Sequence, residues 1–207
     1  KSLVGSEMCI RDSTLIAWLQ AQLDTLRAPE GIMVLDDIVG MVSEEHYHEF
    51  VEPHLRRIFD AFEGLVRIYH NDTPCQHLFP ALAEANFDVF NFTHKVDIAQ
   101  AKLAMGHRVA MMGNVPPLAV GVRESAAVVT EYSKECMDKA GPGGGMILSV
   151  GGGVSPGMPA ENIDAMLEAA RTWTPPTPAE HAAILEPTKA EETSGKKRIR
   201  RSRRRRG

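Results

Sequence analysis

The run Met146-Ile147-Leu148-Ser149-Val150 stops at three consecutive glycines, Gly151, Gly152 and Gly153, and no other stretch constrains the fold as tightly. Five mostly apolar residues read as a short buried strand. Glycines at its end let backbone N–H groups come close to a ligand. One unit earlier, residues 109–112 run into Gly113-Asn114-Val115-Pro116-Pro117 in the same manner. Two successive strand-to-loop junctions of this kind predict one rim of a parallel sheet, the rim on which α/β proteins place their chemistry.

Three earlier apolar runs extend the pattern. Residues 32–35 end at Asp36-Asp37, residues 66–69 end at His70-Asn71-Asp72, and residues 88–92 form another short run. Helical spacing fills the gaps between them. Leu15, Ile16, Leu19, Leu23 and Leu26 recur on one face before Pro29, and Ser43 caps a helix with Glu44 and Glu45 in its first turn. Pro53 opens a further helix with Leu55, Ile58, Phe59 and Phe62 as its stripe. Helices are also expected over 78–85 and 98–105, around Val129, Tyr132 and Cys136, and around Ile163, Met166, Leu167 and Ala170. Strands alternating with helices predict right-handed βαβ units, and strands without polar alternation predict a sheet covered on both faces. The fold class is therefore α/β, either an open doubly wound sheet or a (β/α)8 TIM barrel. A barrel needs eight strands and about 250 residues. With five strands in 207 residues, this chain would be a partial barrel whose first part lies outside it.

Composition narrows the class. Hydrophobic residues make up 43% and charged residues 24%, an ordinary globular balance. No apolar run is long enough to span a membrane, so no membrane role is expected. Cys9, Cys75 and Cys136 are an odd, scattered set, which favours a reduced, cytoplasmic setting. The ends differ from the middle. Residues 1–13 resemble translated sequencing-adapter read-through and are expected to be a non-native leader outside the fold, leaving residues 14–174 as the barrel part. Residues 175–207 begin with Pro175, Pro176 and Pro178 as a stiff linker and end in a tail carrying nine Lys and Arg from Lys196 onward. The tail lacks apolar residues for a core and is expected to be disordered. Without interleaved aromatics its charge does not point to specific nucleic-acid binding.

Between about residues 14 and 173 the chain resembles the uroporphyrinogen decarboxylase superfamily, which also contains zinc-dependent methyltransferases acting on methyl-corrinoids. The residues that carry the resemblance are Gly113-Asn114-Val115-Pro116-Pro117, Gly151-x-Gly153, and Pro159-x-Glu161-Asn162. His70 after its strand and Ser43 through Pro53 match in order and spacing. The resemblance implies a (β/α)8 barrel, here about strands four to eight, with its site at the carboxyl ends of the strands. It also implies that the arginine- and aspartate-bearing loops that hold porphyrinogen carboxylates in the decarboxylases lie in the absent front part.

Candidate site residues follow from both lines of reading. His70 and Asp72 are two apart at a strand end and should point the same way. Either Asp36 or Asp37, but not both, should face the barrel axis, where a carboxylate stabilises a cationic intermediate; the other would cap the next loop. Asn114 would contact substrate or fix its turn, and Gly151, Gly152 and Gly153 would cradle a substrate carboxylate. The resemblance places His-x-Cys and a second Cys of the zinc methyltransferases at His70, Asp72 and Gly152, and a decarboxylase His also at Gly152. Two donors make a poor zinc site unless Asp36, Asp37 or His94 adds a third. The expectation is no cofactor, with His70 and Asp72 as the ligands if zinc is held. Cys75 is read as a small apolar residue rather than a displaced ligand.

Three functions are compatible with these residues. The first is a carboxy-lyase acting on a tetrapyrrole or a related carboxylate substrate. The second is a zinc-dependent transferase moving a methyl group from a corrinoid protein to a thiol. The third is a barrel without catalysis that serves binding or scaffolding. Expected partners are the small-molecule substrate, the corrinoid protein in the second case, and a second copy in a homodimer.

Overall fold

The computed structural model describes residues 3–186, with side chains from Arg11 onward. The basic tail and most of the expected linker-to-tail region after Glu186 lie outside the described residues. Among the described residues five strands form one sheet in sequence order: β1 (Gly31–Leu35), β2 (Val66–Asn71), β3 (Val89–Phe92), β4 (Ala110–Val115) and β5 (Met146–Val150). Every neighbouring pair is parallel. Each strand falls where its apolar run predicts, to within a few residues. His70 lies inside β2 rather than beyond it.

The connections are helical, as parallel pairing requires. The helix α1 (Leu3–Thr25) precedes β1. After Ser43, whose hydroxyl accepts the His46 N–H, α2 (Glu44–His46) passes through a π-helical turn at Tyr47–Val51 into α3 (Glu52–Asp60). The two helices expected around Ser43 and Pro53 are thus one continuous helical run. Pro53 sits in the first turn of α3, where its missing N–H costs little. The later helices are α4 (Phe79–Ala83), α5 (Ile98–Met105), α6 (Ala126–Ala140), α7 (Ala160–Thr172) and α8 (Pro178–Leu185). The N-terminus of α5 is capped by Asp97, which accepts the Ala99 N–H, and α8 starts with a Thr177–Glu180 capping box.

The sheet's two faces are not equivalent. On the outer face, under the helices, Tyr69, Phe90, Phe92 and Met111 are fully buried against Phe59, Leu82 and Met105. On the inner face one row crosses all five strands through register partners: Leu35, His70, Asn91, Met112 and Ile147. At the two edge strands this inner face is open among the described residues. Met33 is 43% exposed, Leu35 66% and Ile147 44%. The expectation of a sheet covered on both faces is therefore corrected at β1 and β5. Apolar residues there cannot reveal from sequence alone whether a neighbour covers them. Tyr132, Ile163 and Leu167, expected on buried helical stripes, are likewise exposed.

Of the segment 1–13 expected to lie outside the fold, residues 3–13 belong to α1. Its Asp12 is buried and its carboxylate lies 2.6 Å from His54 Nδ1 and 3.4 Å from Arg57. Packing thus reaches at least to Asp12.

At the amino ends of the strands, Asp88 accepts the Arg67 backbone N–H and two guanidinium N–H groups at 2.8–3.0 Å. These bonds hold the Asp88 carboxyl below its usual range. A depressed folded-state value stabilises the fold above the unfolded value of about 4 and loses that contribution as pH falls through the folded value. Because the Asp88 side chain is 42% exposed, solvent screening limits the effect to about 1 kcal/mol. Asp88→Asn should therefore flatten the acid limb of the stability–pH curve below about pH 4. Urea midpoints taken across that range check this, and an unchanged acid limb would show that the pair contributes nothing.

Candidate active site

Residues at the carboxyl ends of β2 and β3 meet on the inner face. His70 is 8% exposed and its Nδ1 lies 2.6 Å from Asn91 Oδ1. Its Nε2 lies 3.6 Å from Asp72 Oδ2 on the exposed rim. Strand periodicity puts both groups on one side, as the spacing predicts. Asp72 is in turn tied to the first strand's loop, its backbone N–H donating to Asp37 Oδ1 at 2.8 Å.

The Asp36–Asp37 pair divides its labour. Asp37 is the one that reaches the inner rim. Asp36 turns outward, where Oδ1 accepts the Ile38 N–H at 2.9 Å and Oδ2 accepts the Tyr69 hydroxyl at 3.3 Å. Its backbone carbonyl accepts from Asn71 Nδ2 at 2.6 Å. Asp36 is therefore the member of the pair that braces the loop, because both carboxylate oxygens are engaged away from the rim.

Of the two alternatives for Asn114, substrate contact or fixing its turn, the contacts match the second. The residue follows a cis Gly113–Asn114 peptide, is buried, and its Nδ2 donates to the carbonyls of Val96 at 2.7 Å and Thr93 at 3.3 Å. It fixes the loop after β3 against β4 rather than facing the His70 row. Nearby, a cleft of about 220 Å³ opens between that loop and α6, lined by His94, Asp97, Tyr132 and Lys139 among others. Asn162, from the Pro159-x-Glu161-Asn162 motif, is also structural. Its Nδ2 donates to the carbonyls of Gly121 and Glu124 at 2.8 and 2.9 Å.

Two of the three glycines after β5 are tightly packed. A Cβ on Gly151 would lie 2.5 Å from the His94 backbone nitrogen, and one on Gly152 would lie 2.6 Å from Asp72 Oδ1. Gly152 also has φ +91, a conformation only glycine adopts at low cost. Gly151 spends its own N–H on Val115 O at 2.9 Å, so it is not a free donor for a substrate carboxylate. Gly153 has open space around it. Gly152→Ala should push the Asp72 carboxylate off its position beside His70. The Asp72 side-chain position in a crystal structure of that variant checks this, and an unmoved carboxylate would refute the packing argument.

Asn91 is the member of this side-chain cluster that sequence reasoning missed. It is buried, and its Nδ2 donates to the carbonyls of Met112 at 3.0 Å and Val150 at 3.5 Å. The signal was present: a single amide in an otherwise apolar strand must satisfy its polar atoms inside the fold.

The donor set does not suit zinc. Among the described residues no three His, Cys, Asp or Glu side chains converge as metal ligands. Asp37 and Asp36 are engaged as above. Cys75 is buried in the outer core, where desolvation pushes its thiol up to about 12. His70 and Asp72 alone leave a tetrahedral ion half unliganded.

A five-stranded parallel sheet in sequence order with flanking helices is the arrangement of a segment of a (β/α) barrel. Comparison with known proteins gives the family. The family model described as uroporphyrinogen decarboxylase (URO-D) matches residues 9–173, and this chain belongs to that family. Uroporphyrinogen decarboxylase of Methylococcus capsulatus is 28% identical over 151 residues, covering 70% of this chain and 42% of the relative. That of Carboxydothermus hydrogenoformans is 29% identical over 160 residues, covering 77% and 44%. The chain thus spans less than half the length of these curated relatives. Among solved structures, a methyltransferase from Methanosarcina mazei superposes with a TM-score of 0.69 at 18% identity, covering 77% of this chain and 46% of that one. That likeness supports the barrel fold. Among the described residues no helix is long and apolar enough to cross a membrane.

Proposed function

We propose that this chain forms part of a carboxy-lyase that removes CO2 from the carboxylate side chains of a porphyrinogen-type tetrapyrrole, with His70 and Asp72 as its acid–base pair. The observation that carries this reading is the pair itself: an imidazole braced on one nitrogen by Asn91, with its other nitrogen turned toward a rim carboxylate. Such a pair moves protons without a metal. The curated relatives named above are decarboxylases, which supports the same reading.

In the proposed step, a pyrrole carbon takes a proton from the imidazolium, and the bond from the side-chain methylene to the carboxylate carbon breaks. Its electron pair moves into the cationic ring and CO2 leaves. The exocyclic methylene then takes up a proton and the ring carbon gives its proton back. The net change is one proton consumed and one acetate converted to methyl. Asp37 and Asp72 place negative charge at the rim where the cationic ring would sit.

Zinc-aided methyl transfer from a corrinoid protein is disfavoured by the same residues, since a carboxylate stands at Asp72 and no side chain at Gly152 where that chemistry needs thiolates. The test is incubation of the complete gene product with a porphyrinogen bearing acetate side chains, followed by mass analysis. Stepwise loss of CO2 is expected. Intact substrate after prolonged incubation would favour a barrel without catalysis.

A further inference from the structure

We propose that Asn91 is a positioning residue that holds His70 as the Nδ1–H tautomer and so makes Nε2 the atom through which the ring exchanges its proton. The inference deepens the acid–base reading above, but it stands on hydrogen-bond bookkeeping rather than on that activity.

An amide's two ends are chemically different, and the surroundings decide which end is which. One end of the Asn91 side chain faces the backbone carbonyl of Met112 at 3.0 Å, with that of Val150 at 3.5 Å on the same side. Carbonyl oxygens only accept, so that end must be the NH2 group. The other end, at 2.6 Å from His70 Nδ1, is therefore the carbonyl oxygen, and it too only accepts. A bond of that length requires the proton on Nδ1. Flipping the amide would let its NH2 donate to a bare Nδ1, but it would set its oxygen, which cannot donate, against the Met112 and Val150 carbonyls inside the fold. That costs the full penalty of unpaired buried groups.

The consequence falls on Nε2. In the neutral ring it carries the lone pair and points to the rim, where Asp72 Oδ2 lies 3.6 Å away. A proton taken up there becomes an Nε2–H facing a carboxylate, while Nδ1–H stays on Asn91. The ring thus gains and loses its proton at the side open to substrate, with no rearrangement on the buried side. Free histidine prefers the opposite neutral tautomer, so the assignment is a specific claim about this fold.

The experiment is nitrogen NMR of ring-labelled histidine in the complete gene product, with His70 in its neutral form. The protonated and the bare ring nitrogen resonate far apart, which reads the tautomer directly. Wild type is expected to show Nδ1 protonated. Asn91→Asp keeps an acceptor at Nδ1 and should keep the tautomer, although it loses the donor to Met112. Asn91→Leu removes the acceptor and should move the proton to Nε2. If Asn91→Leu fails to fold, Asp72→Asn decides: the Nδ1–H signature should persist, because Asp72 does not set it. A wild-type ring protonated at Nε2, or a tautomer that follows Asp72 rather than Asn91, would overturn the proposal. The signature is independent of turnover, so its presence in a protein that releases no CO2 would count against the decarboxylase reading alone.

Discussion

Phe90→Ala is expected to lower the unfolding free energy by about 3–5 kcal/mol, a large share of what a domain of this size commands. Phe90 is fully buried in the outer core. Its ring stacks on Tyr69 and Phe92 with centroids 5.8 and 5.1 Å apart, and it meets Phe87 and Phe79 at 5.9 and 6.3 Å. Four aromatic neighbours from strand, loop and helix cannot all collapse into the space a benzyl group leaves, so a cavity remains and its lining loses contact energy. The loss should appear as a lower urea midpoint with an unchanged slope. Leu103→Ala is the control, because that side chain is 85% exposed and should change stability by less than about 0.5 kcal/mol. Equal effects at the two positions would mean that the aromatic cluster is not the core.

The second large effect concerns turnover. Under the proposed decarboxylase reading, His70→Ala should lower kcat by about 10²–10⁴-fold, the usual contribution of a positioned acid–base group, with a smaller change in KM because that reading makes the ring a proton carrier rather than a substrate anchor. The substitution also strips Asn91 Oδ1 of its donor, which costs about 1–3 kcal/mol of stability. The kinetic comparison therefore needs a melting curve beside it. Asp72→Asn should act in the same direction but less strongly, since Asp72 is exposed and 3.6 Å from the ring. A His70→Ala protein that turns over as fast as wild type would remove the acid–base pair from the mechanism.

The sheet was legible because parallel strands buried beneath helices are written as short apolar runs, and each of the five runs became a strand. The inner-facing pair His70 and Asp72 was legible from strand periodicity alone. Periodicity fails where strands end, however. Asp36 and Asp37 are neighbours at such an end, and only the Tyr69 hydroxyl and the Ile38 N–H reveal that Asp36 is the one turned outward. Asn114 stands at a similar junction, where the nearest carbonyl acceptors come from another strand's loop. Asn91 went unnoticed because its partners, His70, Met112 and Val150, lie on three other strands. Gly152 was legible as a departure from the family motif, but not its reason: the Asp72 carboxylate occupies the space that a side chain there would need.

The measurement that bears most directly on the central claim is CO2 release from a porphyrinogen by the complete gene product, followed with and without a strong metal chelator. If His70 and Asp72 work as a metal-free acid–base pair, CO2 appears at the same rate in both samples. A rate that collapses under chelation and returns on adding zinc would contradict the account and make His70 and Asp72 metal ligands instead.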